Sequence, residues 1–381
     1  MLEEKIRLYQ LMKQNLIEKI SRNNYLDFLK KIIGLHSTDY LTPYFSLYAR
    51  VQDFCAKDLF DDLNKNYNAL RMRGLRGTVF VVHRENIGLI IVATKNKRED
   101  WMKDVYKYVR EGIDFDVIEK EVVKLLQGKN HYQISQIKKK LKEKIPTEDI
   151  STGLNYLEFK GVAIRSFQRY ITDNLYHYGL LEEWFPEESL KANNYEESYP
   201  LMMEKYIEAF GPTTLDDYSW WLPDKKTPIK EAYDKISHKF EQLKVNSLKY
   251  LIHKNEIDSF NNFNHNEIEK PIVNFLPYED HFPKGFKNRE NFIDNDAQQN
   301  LFGVRGLDKG EIRPSIWLNG EVVGRWEYSW TNKEKIKMKI EIPYLNEKKV
   351  NCNKTKEIIE SKRNELEDFT NSQIVPLINS K

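Results

Sequence analysis

The chain reads as an α+β protein: three tandem winged helix-turn-helix units followed by a small C-terminal antiparallel β-barrel. Three observations predict this. Residues 113–197 carry three apolar-striped helices and then two strand-like runs. The same order recurs over residues 198–268 and, more loosely, over residues 1–112. Residues 269–381 change to strand-like segments around Asn319-Gly320 and end in a polar helix.

In the first region Leu2, Ile6, Tyr9 and Met12 repeat at helical spacing, as do Tyr25, Phe28, Leu29 and Ile32. Ala69 to His83 then changes character. Gly74 and Gly77 punctuate it and Thr78 to Val82 is β-branched and aromatic, which predicts a β-hairpin. In the second region Val117 to Leu126 is an apolar-striped helix ended by Gly128, and Ile134, Ile137 and Leu141 stripe another. Pro146-Thr147-Glu148 opens the third and Gly161 closes it. Val162 to Tyr170 and Leu175 to Trp184 are the two strands of the wing, turned at Thr172-Asp173-Asn174.

The third region repeats the plan. Leu201 to Phe210 is a helix stopped by Gly211-Pro212, and Thr214 with Asp217 reads as a capping box. Thr227-Pro228 starts the next helix, and two short strands flank Asn246 between His238 and Ile252. In the last region Pro271 to Leu276, Gly310 to Leu318, Glu321 to Tyr328 and Ile336 to Ile342 are strand-like. Asn-Gly between two of them is a strong hairpin signal. The helix from Lys354 to Asn371 alternates in charge, which suggests a solvated face.

Composition narrows the function classes. The 381 residues hold 60 Lys+Arg against 58 Asp+Glu, a net charge of +2, so bulk charge gives no argument for nucleic acid. Any DNA-binding face must come from how charges are arranged. Hydrophobic residues at 40% and aromatics at 13% are too many for a disordered chain. Cys55 and Cys352 lie far apart with no CxxC, which fits a reducing cytoplasm and argues against structural zinc. No apolar run reaches the roughly 20 residues of a membrane span, and no Gly-rich phosphate loop points to ATP or NAD. The expectation is a soluble cytoplasmic monomer with no cofactor.

The densest chemistry lies at Gly34-Leu35-His36-Ser37-Thr38-Asp39, between the apolar runs Tyr25–Ile33 and Leu41–Val51. A polar cluster so placed is half buried, and its hydrogen bonds must be assigned. Tandem winged helices suggest an extended surface for a long ligand, and duplex DNA fits helices and wings. The candidate contacts are Arg71, Arg73 and Arg76 on the glycine-bearing hairpin, Asn155 and Lys160 on the third helix of the second unit, and Arg165 and Arg169 on its wing. Arg289 and Arg325 complete them, with Asp280 and His281 set to line the same cradle. Lys138-Lys139-Lys140 reads as a solvated helix face. His131, His177, His238, His253 and His265 have no metal-ligand spacing and read as structural or surface groups, so no metal site is expected.

Several stretches together resemble the winged-helix DNA glycosylases of the AlkZ-like type. They are Gly34 to Asp39 with Ser46-Leu47-Tyr48-Ala49-Arg50, Arg73-Gly74-Leu75-Arg76-Gly77-Thr78, and Ala209-Phe210-Gly211-Pro212-Thr213-Thr214. Leu276-Pro277-Tyr278-Glu279-Asp280 and Asn319-Gly320-Glu321-Val322-Val323-Gly324-Arg325-Trp326 follow in the family's order. The resemblance implies three winged helices and a β-barrel cradling duplex DNA, and hydrolysis of an N-glycosidic bond to a damaged base such as an alkylated or bulky purine. Family members carry Gln, a small or apolar residue, then Gln or Asp where this chain has His36-Ser37-Thr38. His36 therefore matches the first Gln, Thr38 matches the second position, and Asp39 falls one residue later.

A cationic alkylpurine is already a good leaving group, so the site needs mainly to place one water and tolerate positive charge on the sugar. A neutral His36, with an ordinary pKa of about 6.5, suits a water-activating base. Thr38 could hold the same water. Asp39 could orient His36, help with charge, or cap the helix that follows. The competing readings are a non-catalytic DNA-binding or damage-recognition protein, and an interaction module that no longer touches DNA.

Overall fold

The structure is a computed structural model and describes residues 2–106, 111–172, 176–186, 194–269, 271–294, 298, 301, 311–331 and 337–378. The chain divides into two units, residues 58–202 and residues 1–57 with 203–381.

In the unit of residues 58–202, strands Ala69–Arg73 and Val79–His83 form the expected antiparallel hairpin. Helices Phe115–Leu126, Ile134–Leu141 and Thr147–Lys160 follow. Asp114 caps the first through the Asp116 and Val117 amides. Gly161, at φ 78°, ends the third in the left-handed conformation that only glycine adopts cheaply. The apolar stripes Ile118–Val122–Leu126, Ile137–Leu141 and Ile150–Leu154–Leu157 meet in one core. The two strands after these helices are shorter than the sequence suggests. The first is Ala163–Ser166, because Phe167 turns the chain with φ 63°. The second is His177–Leu180, and Leu181–Trp184 is a helical turn rather than strand. Tyr132–Gln133 adds a third, unforeseen strand against His177–Leu180. Asp173 and Asn174 of the expected turn and Leu175, the expected start of the second strand, lie outside the described residues.

In the other unit, helix Leu2–Lys13 packs Ile6 and Tyr9 against Val245, Tyr250, Ile252 and Phe260. Helix Leu215–Trp221 opens with the expected capping box. The Thr214 hydroxyl accepts from the Asp217 amide, and the Asp217 carboxylate accepts from the Thr214 amide. Helix Lys226–Ile236 and the hairpin Phe240–Val245/Leu248–His253 follow, turned by Asn246 at φ 52°. One local device occurs in both units. Strand Val79–His83 ends in His83, whose Nδ1 accepts from the Glu85 amide, and strand Leu248–His253 ends in His253, whose Nδ1 accepts from the Asn255 amide. A short 3₁₀ turn and a helix starting at Ile87 or Ile257 come next in each case.

The C-terminal strands Val273–Leu276, Ser315–Leu318, Glu321–Trp330 and Met338–Leu345 form one four-stranded antiparallel sheet in that order. Asn319 (φ 51°) and Gly320 (φ 81°) make the two-residue turn that this dipeptide specifies. Gly310 and Ile336, at two expected strand starts, lie outside the described residues. The expected barrel is not closed: among the described residues Val273–Leu276 and Met338–Leu345 are edges and do not pair with each other. The polar C-terminal helix, Asn353–Phe369 with the turn after it, explains how one edge is protected. Glu367 and Asn371 accept the Ile340 and Met338 amides, and Arg363 and Asn371 donate to the Ile340 and Met338 carbonyls. Part of the helix expected to face solvent thus satisfies the edge's backbone, which closure would otherwise do.

Helix Thr42–Arg50 is tied to the turn after Val273–Leu276 by a fully buried ion pair. Arg50 Nη1 and Nη2 reach the two Asp280 oxygens at 2.9 and 2.7 Å, the Ser46 hydroxyl donates to the same carboxylate at 2.7 Å, and the Phe282 amide at 3.0 Å. Burial alone would raise the Asp280 carboxyl, but the Arg50 charge and these hydrogen bonds hold it below its ordinary value. Removing one partner leaves a buried charge without compensation. Arg50→Met is therefore expected to cost about 3–5 kcal/mol in urea unfolding at pH 7, and adding Asp280→Leu to recover part of that loss. A loss under about 1 kcal/mol in Arg50→Met would contradict this account.

Candidate active site

The His36 segment is reached through a strained turn. The Gly34 amide donates to the Ile32 carbonyl across Ile33, a β-branched residue held at φ 71°. Left-handed backbone at such a residue costs on the order of 1–3 kcal/mol and needs the surroundings to enforce it. Here Ile32 and Ile33 are both fully packed.

His36 is 7% exposed and Thr38 beside it is exposed, so the imidazole meets solvent next to the threonine. His36 Nε2 lies 3.3 Å from Thr38 Oγ1 and 3.9 Å from Glu279 Oε2. Glu279 is buried and held on all sides. Its backbone takes φ 54°, its amide donates to the Ile312 carbonyl, Oε1 accepts from the Ile312 amide at 2.7 Å, and Oε2 lies 2.7 Å from Lys284 Nζ. Asp39 has both oxygens engaged. Oδ1 accepts from the Leu41 amide at 2.7 Å just ahead of helix Thr42–Arg50, and Oδ2 accepts from the Tyr328 hydroxyl at 3.1 Å. Burial and the Asp39 charge push the Tyr328 hydroxyl up, so it stays protonated and donates. Of the three roles open to Asp39, this geometry is that of a local turn cap.

Sequence reading had not given Glu279 or Lys284 a role. Glu279 stands in one of the quoted motifs, but its partner His36 is far away in sequence. Asp280 and His281, expected to line a cradle, are instead enclosed. Asp280 serves Arg50. His281 Nε2 bonds Gln14 Oε1 at 2.7 Å, between the rings of Phe28 and Phe210. Burial, and then the Arg50 charge, push its pKa down to about 3.

The expected phosphate contacts fall into distinct settings. Arg71 is buried and donates to Gln168 Oε1. Arg73, Asn155 and Arg165 come together around Glu158. Arg73 donates to Asn155 Oδ1 at 3.2 Å and lies 3.5 Å from Glu158 Oε2, while Arg165 donates to Glu158 Oε1 at 2.6 Å. Buried Arg98 supports this group by donating to the Phe159 and Arg73 carbonyls. Lys160 pairs with Glu119, Arg289 lies over the Trp220 ring at 5.2 Å, and Arg325 is 3.7 Å from Glu327. Arg76 is half-buried at φ 59° in the first hairpin's turn, and Arg169 is exposed just after strand Ala163–Ser166.

Glu204, Glu208 and His253 bring possible metal-ligand atoms within 4.8 Å of one another. Lys239 already bonds both Glu204 oxygens at 2.7 Å. His253 Nδ1, accepting from Asn255, leaves Nε2 as the protonated nitrogen facing the carboxylates. Glu204 and His253 are therefore already engaged within the protein.

The sequence pattern of the family described as DNA glycosylase AlkZ-like matches residues 29–341, from helix Tyr25–Lys31 ahead of the His36 segment to the last sheet strand. The chain belongs to the AlkZ-like DNA glycosylase family. It is thus a DNA repair glycosylase, and DNA is its substrate. The solved DNA glycosylase AlkZ of Streptomyces sahachiroi superposes with a TM-score of 0.72 at 14% identity, covering 98% of this chain and 97% of that one. At that identity the likeness concerns the fold. No curated protein sequence matches the chain. No described helix of this AlkZ-like protein is long and apolar enough to cross a membrane.

The buried His281 beside this site gives a pH test. The unfolded chain protonates this histidine near pH 6.5, and the folded chain resists until about pH 3. Its contribution to stability is full above pH 6.5 and declines as pH falls toward 3. Between pH 7 and 5 the wild type should therefore lose about 1–2 kcal/mol more stability than His281→Gln, read from urea midpoints. Equal losses would contradict a neutral, buried His281.

Proposed function

We propose that the chain is a monofunctional DNA glycosylase that hydrolyses the N-glycosidic bond of alkylated or bulky purine adducts in duplex DNA, interstrand crosslinks through purine nitrogen included. One observation carries this reading. At the family's motif position, the largely buried His36 presents Nε2 at 3.3 Å from Oγ1 of the exposed Thr38, a spacing at which both can bond one water. In the reaction the water oxygen bonds to C1′ of the sugar and the C1′–N bond breaks. Its electron pair leaves with the purine and neutralises the cation, and the water's proton passes to His36 Nε2 and then to solvent. The product is an abasic sugar bearing a C1′ hydroxyl. A protonated His36 could neither accept that proton nor tolerate the developing sugar cation.

We read the three helix-and-hairpin segments, residues 1–112, 113–197 and 198–268, as winged helices that dock the duplex, with residues 269–381 as a separate C-terminal part. Arg76, half-buried, and Arg169, exposed, stay candidates for phosphate by position, whereas Arg71 is enclosed and Arg73 and Arg165 pair with Glu158. Asn155, Lys160, Arg289 and Arg325 remain candidates at exposed or half-buried positions. The protein acts as a cytoplasmic monomer without cofactor. No lysine adjoins residues 36–39 in the sequence, and the Lys284 amine is ion-paired with Glu279, which supports the monofunctional reading. The departure of His36-Ser37-Thr38 from the family's Gln-containing motif favours a second reading, a damage-recognition protein that binds without cutting.

A duplex holding one N7-alkylguanine separates these readings. The wild type should produce abasic sites with no borohydride-trapped protein–DNA adduct, and His36→Ala should slow single-turnover base release by about 10²–10⁴-fold. The rate should fall as pH drops through the histidine range. Salt-sensitive binding without base release from this or bulkier adducts would favour the second reading, and a flat profile from about pH 5 to 8 would remove His36 as the base.

A further inference from the structure

We infer that Glu279 and Lys284 are positioning residues for the reaction proposed above: Lys284 holds the Glu279 carboxylate against His36, and the balance of the two charges keeps His36 neutral. The inference rests on the glycosylase reading and deepens it. Glu279 is a buried carboxylate with no part in the 36–39 segment, yet its Oε2 is 3.9 Å from His36 Nε2 and 2.7 Å from Lys284 Nζ. Its position is enforced from both ends. The backbone is in the left-handed region, the amide bonds Ile312, and Oε1 is fixed by the Ile312 amide. A carboxylate whose role was only to fill space would not need that constraint.

The electrostatic consequence follows from sign and distance. A bare carboxylate within about 4 Å favours the imidazolium form, which would disable His36 as a base. An ammonium on the same oxygen cancels most of that pull. Among the described residues, the other titratable groups around the motif include Asp39, engaged with Leu41 and Tyr328, and Tyr278, whose hydroxyl bonds Glu311. Burial raises both Tyr278 and Tyr328, so both stay neutral. Glu279 and Lys284 are therefore the charged pair whose balance sets the proton on His36.

The test is a pair of opposite perturbations. Lys284→Met leaves the carboxylate alone, and the acid limb of the rate–pH profile should move up by about one pH unit. Glu279→Gln leaves the ammonium alone, and the limb should move down by a similar amount. The double variant Glu279→Gln/Lys284→Met should return close to the wild-type limb, which a merely structural role would not produce. The same three shifts should appear in an NMR titration of the His36 ring in the DNA-free protein, a readout that needs no activity. Coincident limbs and titrations in all variants, or shifts of one sign, would overturn the inference. Opposite NMR shifts in a protein that releases no base would keep the charge balance and overturn the glycosylase reading instead.

Discussion

The candidate site depends on the buried pair of Arg50 and Asp280. Arg50 closes the helix that follows the His36 segment, and Asp280 is the residue after Glu279. Joining their side chains with two hydrogen bonds brings His36 and Glu279 to within 3.9 Å although more than two hundred positions separate them in the chain. An arginine can carry this load because its planar fork meets a carboxylate at two points and cannot be discharged by burial. The cost of desolvating both ions is offset because the Asp280 oxygens also receive Ser46 and the Phe282 amide.

Around this clamp the segment from Ile33 to Leu41 has little freedom. Ile33 is forced into left-handed backbone, Asp39 fixes the entry to the next helix, and Tyr328 reaches Asp39 from the long sheet strand. Such rigidity suits a site that must present one imidazole and one hydroxyl to a reacting bond. It also accounts for a histidine that is largely buried yet borders the exposed Thr38. The chemistry needed is modest, because a cationic purine leaves readily, and placement of water matters more than a strong base.

What the sequence disclosed was local. Helix stripes, the Thr214–Asp217 capping box, Gly161 as a helix stop and the Asn319-Gly320 turn all depend on neighbours a few residues away, and the structure has them where the pattern puts them. The His83 and His253 caps are equally local, in the closely similar stretches Val82-His83-Arg84-Glu85-Asn86-Ile87 and Ile252-His253-Lys254-Asn255-Glu256-Ile257, but a lone histidine in each gives no signal of the cap it makes. Long-range partners were not legible. Nothing near Asp280 announces that Arg50 will bury it, and nothing in the charge alternation of residues 353–371 reveals that Glu367 and Asn371 will bond a strand edge. The expected barrel stays an open sheet for that reason. Arg73 and Arg165 read as phosphate contacts because their shared partner, Glu158, occupies a helix position of core spacing that holds a carboxylate.

The central claim is that a neutral His36, with Thr38, holds one water against the sugar and tolerates the cation that develops as the base leaves. It is tested most directly by binding. Two duplexes would be compared at pH 8, one holding a cationic pyrrolidine in place of the target sugar and the other a neutral tetrahydrofuran. A site complementary to the transition state should prefer the cation by about 100-fold or more, and His36→Ala should lose most of that preference while binding the neutral duplex as the wild type does. Equal affinity of the wild type for both duplexes would contradict the account.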